Sequence, residues 1–410
     1  MDFNPIFYFE EYLTAILRLV LPIAGFAALV YFSWKWWMRY INTQFIGNIK
    51  WKILEIRIPQ EVFKSPLAME LVLQALYQTG GVGTWINRYW DGAVRLWFSL
   101  ELVSIEGKVF FFIRTPEKFK ELIESYIYAQ YPQAEVSEVE DYALRVPPFA
   151  KDNGWSMHAT EFKLTKPDPY PIKTYVDYEL DKAVGKLDEN ERVDPITPML
   201  EYMGSLNKGE QLWLQYIVRA DTKRFVGKEG AMEDWKKEAA REIDKIREKY
   251  IDKETKVEKR MSKLDQDIIT ALERSMDKLG FDTGIRGIYI AKKENFNGNR
   301  ITGLMGMFRQ FNSQHLNAFA PQNVTGYDYV WQDLFGTKVI ADKAEMLEAY
   351  RARGYFYSPF NGTVKNPRPP FILNSEELAT IYHFPGRVLE TPSFKRIDSK
   401  KVDAPENLPI

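Results

Sequence analysis

Apolar positions crowd the start of the chain. Leu13–Trp37 reads LTAILRLVLPIAGFAALVYFSWKWW, and no residue from Leu19 to Trp34 is charged. Counted back to Leu13, the run is about 22 residues, ~33 Å of helix, the length that crosses a bilayer core. The pattern predicts a membrane anchor carried by Leu13, Leu19, Pro22, Phe26, Tyr31, Trp34, Trp36 and Trp37, with the tryptophans as an interfacial belt. A cleaved signal peptide fits less well, because Asp2, Glu10 and Glu11 precede the run and no A-x-A site closes it. Lys35, Arg39, Lys50 and Lys52 follow the run, which places the N-terminus outside and the body in the cytoplasm.

After Lys50 the period changes. Lys52–Ile58 alternates as a strand that Pro59 stops. Ser65-Pro66 opens a helix with apolar positions at Leu67, Leu71, Val72, Ala75 and Leu76. Val94–Ser104 and Lys108–Arg114 are strands joined by a tight turn at Glu106-Gly107. Pro116 starts a helix through Phe119, Ile123 and Ile127, and Ala134–Val139 is a last strand. Strand, helix, strand, strand, helix, strand is the split βαβ, or ferredoxin-like, order, expected over 46–146.

The order recurs downstream. Ala159–Leu164, a helix over Pro195–Leu206, strands at Gln211–Arg219 and Phe281–Ala291, and a helix over Arg300–Phe311 predict a second such domain over 147–320. An insertion at 229–280 carries Trp235, Ile243, Leu264 and Leu272 at helical spacing amid dense charge. It predicts a two-helix arm, either a lever toward a partner or a hairpin packed on its own sheet. Residues 321–410 read as a loop-rich segment and an extended tail, with one short capped helix after Asn374. The expected fold class is α+β: a single transmembrane helix (1–45), then two ferredoxin-like units, the second with a long helical-hairpin insertion.

Composition narrows the chemistry. The chain has 410 residues and a net charge of -1, which gives no global pull toward nucleic acid. Cysteine is absent, which excludes disulfides, thiolate zinc sites and cysteine nucleophiles. His158, His315 and His383 are too scattered in sequence to suggest a metal site. Neither G-x-x-x-x-G-K-[ST], G-x-S-x-G nor H-E-x-x-H occurs. The expectation is a protein that is not an enzyme, with no catalytic residue, cofactor or metal. Trp85, Trp90 and Trp97 suit sheet core or subunit packing better than base stacking. Lys395, Arg396, Lys400 and Lys401 make a basic cluster, but Asp398, Asp403 and Glu406 interleave it, so direct contact with DNA has weak electrostatic support.

Two stretches, Ser99–Tyr142 and Phe371–Pro409, resemble the region ahead of the motor domain in type IV secretion and conjugative coupling ATPases, above all a membrane-anchored group from candidate-phylum bacteria. The segment Glu376–Pro385, EELATIYHFP, carries the likeness, and the chain ends where those relatives enter their Walker A strand. The resemblance implies a motorless scaffold of a DNA or protein transfer machine, single-pass in a bacterial inner membrane. Such a scaffold would self-associate and dock a separate secretion ATPase. Its partner-binding tail would include Glu376, Glu377, His383, Pro385, Lys395, Arg396, Lys400 and Lys401. The alternative is a DNA- or protein-substrate binding module of the same apparatus.

Overall fold

The structure is a computed structural model that describes residues 5–58, 64–80, 83–151, 153–181, 193–221, 225–226, 232–251, 260–327, 329–362 and 367–385. The helices run α1 (Pro5–Gly47), α2 (Pro66–Leu73), α3 (Trp85–Tyr89), α4 (Lys120–Gln130), α5 (Thr197–Gly204), α6 (Trp235–Glu248), α7 (Lys263–Met276), α8 (Asn299–Gly306), α9 (Thr337–Ala352) and α10 (Ser375–Ile381). The strands run β1 (Trp51–Arg57), β2 (Phe98–Ile105), β3 (Lys108–Pro116), β4 (Glu135–Val139), β5 (Trp155–Leu164), β6 (Glu210–Ala220), β7 (Phe225–Val226), β8 (Met232–Glu233), β9 (Gly280–Lys292), β10 (Phe319–Gln322) and β11 (Phe371–Asn374). The chain divides into two bodies, residues 1–49 with 80–95, and 50–79 with 96–410.

The first body is α1 and the segment docked on its C-terminal half. Trp37 donates its indole N–H to the Tyr89 carbonyl at 3.0 Å and packs on Trp90, while Trp34 packs on Tyr89. Gly92, at φ +67, lies so close that a Cβ there would meet the Ile41 carbonyl carbon at 2.4 Å. The expected membrane span is overturned. Among the described residues no helix is long and apolar enough to cross a membrane. Over the stretch whose side chains are described without a break, the uncharged run Val20 to Trp34 rises about 22 Å, against a hydrocarbon core of about 30 Å, and Lys35 and Arg39 follow within the same helix. Two of the predicted belt residues, Trp34 and Trp37, pack on α3 and its flank. The single-pass inner-membrane location falls with the span. The side chains of Leu13 and Leu19 lie outside the described residues. Pro22, Phe26, Tyr31, Trp34, Trp36 and Trp37 are exposed on α1.

The second body is built on a nine-stranded antiparallel sheet in the order β10-β5-β9-β6-β2-β3-β1-β4, with β11 added alongside β9. The first hairpin follows from its turn. Glu106 and Gly107 both take positive φ, 53° and 80°, as a two-residue turn between right-twisted strands requires. A Cβ at Gly107 would also sit 2.8 Å from the Gly204 carbonyl oxygen.

Two separate ferredoxin-like units do not form. The path β4-β1-β3-β2 is repeated by β10-β5-β9-β6, but the open edges that separate units would leave, β2 and β6, pair continuously from Phe98↔Val218 to Ile105↔Gln211. An unpaired edge of that length is an aggregation liability, and joining the two removes it. One apolar core then runs under both halves, from Leu54 and Phe111 to Tyr216 and Phe308.

Helices α2, α4, α5, α8 and α10 cover that face. Ser65 caps α2 and Pro66 occupies its first turn. The buried positions of α2 are Pro66, Ala68, Met69, Glu70, Val72 and Leu73, so its inward face is rotated from the predicted stripe and leaves Leu67 exposed. The opposite face is covered by α9 through Met346, Leu347 and Tyr350, where the sequence pattern suggested loop. The insertion forms two helices, α6 capped by Asp234 and α7 by Ser262, joined by a small core of Ile243, Ile246, Ile269 and Leu272.

Candidate functional site

Under α9 a polar seam crosses the middle of the sheet. Glu101, Gln215, Arg286 and Glu161 are cross-strand neighbours on β2, β6, β9 and β5. All four are fully buried. All four stand in mid-sheet, and segments beyond the sheet complete the seam. Arg353 ends α9 in the left-handed region, at φ 49°, which aims its guanidinium inward. It donates to both oxygens of Glu101 at 2.8 and 3.0 Å and to Asp141. Arg286 donates to Glu161 at 2.9 Å and to Gln215 at 3.1 Å. Arg368 joins Glu161 at 2.9 Å and Glu345 at 3.0 Å.

Charges buried this deeply persist only when paired and hydrogen-bonded. Burial acts to raise the Glu101 carboxyl, but Arg353, with hydrogen bonds from Ser99 and Tyr142, outweighs it and holds Glu101 below the usual range. Burial holds the hydroxyls of Tyr142 and Tyr350 well above the usual phenol range. Tyr142 donates to Glu101 at 2.7 Å and lies 2.6 Å from Tyr350. Each carboxylate of the seam is therefore held by an arginine and each phenol stays neutral. The arrangement fixes geometry and leaves no group poised to take or give a proton. A cavity of about 100 Å³ opens beside it, lined by Asn323, Thr325, Tyr327, Asp342, Glu345 and Arg368. Its polar groups are engaged too, Tyr327 on Asp342 at 2.7 Å and Asn323 on Glu161 at 2.8 Å.

The predicted tail residues lie elsewhere. Every residue from Phe371 to Pro385 is buried. Glu376 meets Arg274 at 3.2 Å and Lys278 at 3.8 Å. Glu377 closes a capping box with Asn374 and also accepts the Ile172 N–H at 2.9 Å. Burial pushes its carboxyl up to about 8. His383 faces the Ala379 carbonyl at 2.8 Å and Asp194 at 3.0 Å. Lys395, Arg396, Lys400 and Lys401 lie outside the described residues. Among the described residues no group of three or more His, Asp or Glu is placed to hold a metal ion.

In the second body a set of exposed apolar groups lies in the loop before α9. Tyr329 and Trp331 stack with ring centroids 4.4 Å apart, and Leu334 and Phe335 are 70 % and 85 % exposed. The loop is tied by its own bonds: Gln332 N–H to the Tyr329 carbonyl at 3.1 Å, Lys338 to the Gln332 carbonyl at 3.0 Å, and the Val339 N–H to the Asp333 carboxylate at 2.8 Å. The sequence reading passed over this loop and the seam. Each had a local signal: a lone charge within an apolar strand, as in SLELVS or GIRGIYI, and a Tyr-x-Trp-x-x-Leu-Phe run outside any helix or strand.

Fold and site together define an α+β protein whose sheet is locked by an internal ionic seam. Residues 94–396 match DUF8128, a domain of unknown function, and the chain belongs to that family. No curated protein matches the chain.

Proposed function

We propose that the chain is a non-enzymatic scaffold of a type IV secretion-like or conjugative transfer machine, self-associating and engaging a separate ATPase. The observation that carries this reading is the exposed apolar loop Tyr329–Phe335. Large exposed apolar patches on ordered segments are a mark of protein–protein contact, and tryptophan and tyrosine are the residues that most often anchor such contacts. The ionisable groups of the seam, by contrast, are taken up in holding the fold. The likeness of Ser99–Tyr142 and Glu376–Pro385 to coupling ATPases supplies the partner's class.

The test is co-expression of the full chain with a secretion ATPase encoded beside it. Co-purification is expected, and Trp331→Ala with Phe335→Asp should abolish it while leaving the circular dichroism unchanged. A deletion should begin at residue 386, because Phe371–Pro385 is core and its loss would unfold the protein. ATP hydrolysis by the purified chain alone would defeat the proposal. DNA binding with a steep salt slope would favour the substrate-module alternative.

A further inference from the structure

One end of the sheet, where β1 and β2 begin and β3 ends, carries a half-buried arginine with a different fate from those of the seam. Arg114 lies on β3 between Ile53 and Ser99. Its guanidinium sits over the ring of Trp51, 4.2 Å from the centroid. Trp51 in turn meets Trp97 at 4.9 Å between centroids, and Trp97 meets Tyr357 at 5.6 Å. Trp97 is 4 % exposed.

Two donors in this cluster have no acceptor. Arg114 Nη1 and Trp97 Nε1 are both buried, and neither finds a hydrogen-bond partner among the described residues. Buried donors in folded proteins are nearly always paired, and an orphaned one costs the full desolvation of the group. The carboxylates whose fields reach Arg114 are Glu101 and Asp141, and Arg353 already occupies both. Burial first, and then the positive field of Arg353, push the Arg114 guanidinium down to about 9, the direction expected of a cation short of a counter-charge.

We propose that this end of the sheet binds an oxyanion, a carboxylate or a phosphate, with Arg114 as its cation, Trp97 Nε1 as a second donor and the Trp51 ring as its wall. An oxyanion supplies what the cluster lacks, acceptor lone pairs and negative charge. A guanidinium held over an indole ring has already lost part of its freedom, so less ordering is left to binding.

The test titrates the full chain with inorganic phosphate and, separately, acetate, at constant ionic strength made up with chloride. Tryptophan fluorescence and Tm are the readouts. A saturable response to phosphate, to acetate or to both is expected, and the pattern assigns the class. Arg114→Met should weaken it at least tenfold. Trp97→Phe, which keeps an aromatic side chain and removes the N–H, should weaken it less. Should Arg114→Met fail to fold, Arg114→Lys and Trp97→Phe carry the comparison. No saturable response in the wild type would mean that water satisfies these donors and would overturn the proposal. Equal responses in wild type and variants would also overturn it.

Discussion

Two carboxyl groups, both fully buried, behave in opposite ways. Glu101, in the seam under α9, is held below the ordinary range, while Glu377, at the start of α10, is pushed up to about 8. Burial acts alike on both. The difference is a guanidinium. Arg353 grips both oxygens of Glu101, whereas the Glu377 oxygens meet only backbone N–H groups of Ile172 and Asn374, with Glu376 and Asp168 adding negative field. Two neutral donors do not offset the desolvation of a carboxylate, and one bidentate arginine does.

The sharpest way to break this contrast is to remove one side of the Glu101–Arg353 pair. Glu101→Gln should cost up to about 3–5 kcal/mol of unfolding free energy in urea, because it removes one of the two carboxylates that neutralise the buried Arg353 and leaves only Asp141. The double change Glu101→Leu with Arg353→Met should recover most of that loss. Recovery of nothing would mean that the pair contributes more than mutual neutralisation.

The next effect is opposite in sign along the pH axis. The folded pKa of Glu377 lies above its unfolded value, so the native state holds the proton more tightly. Its contribution is complete below about pH 4.5 and is lost as pH rises through about 8. Glu377→Gln should flatten that fall, which is on the order of 4–5 kcal/mol. The measurement is the wild-type minus variant difference in chemical denaturation across that range.

His158 gives a smaller mirror image. Burial, with Lys343 nearby, pushes its imidazole down to about 4. The native state disfavours the charged ring, so this contribution is present above about pH 6.5 and fades as pH falls toward 4. His158→Gln should reduce acid sensitivity there by about 1–2 kcal/mol. Phe335→Asp comes last. A substitution on an exposed loop should move stability by no more than about 0.5 kcal/mol. Any loss of ATPase co-purification in that variant then reports on contact, not on folding.

Much of the second body was legible locally. The strand at Lys52–Ile58, the Glu106-Gly107 hairpin, the Ser65-Pro66 helix start and the capped helix after Asn374 all stand where periodicity and caps placed them. The paired helices of the insertion are likewise present as α6 and α7. Besides the two-residue strands β7 and β8, three elements escaped. β10 and β11 are four residues each, too short to show alternation, and Pro321 within β10 argues against a strand that survives only as an edge. α9 buries only its C-terminal half, so its apolar stripe is weak, and its N-cap position is Gly336 at φ +67, with the Asp333 carboxylate three residues earlier accepting the Val339 N–H. Glu376, Glu377 and His383 looked like an exposed tail because acidic and histidine side chains usually face water. Here neighbouring cations, backbone N–H groups and Asp194 satisfy them inside.

The sequence alone determined the local elements, because strand alternation, turn handedness and helix capping act over a few residues. Tertiary structure alone decided that β2 and β6 join two repeats into one sheet, that Trp34 and Trp37 pack against α3 and its flank, and that Glu101 meets Arg353 across 252 positions of chain. Such pairings have no period to read, since they depend on which surfaces remain open once the local elements have formed.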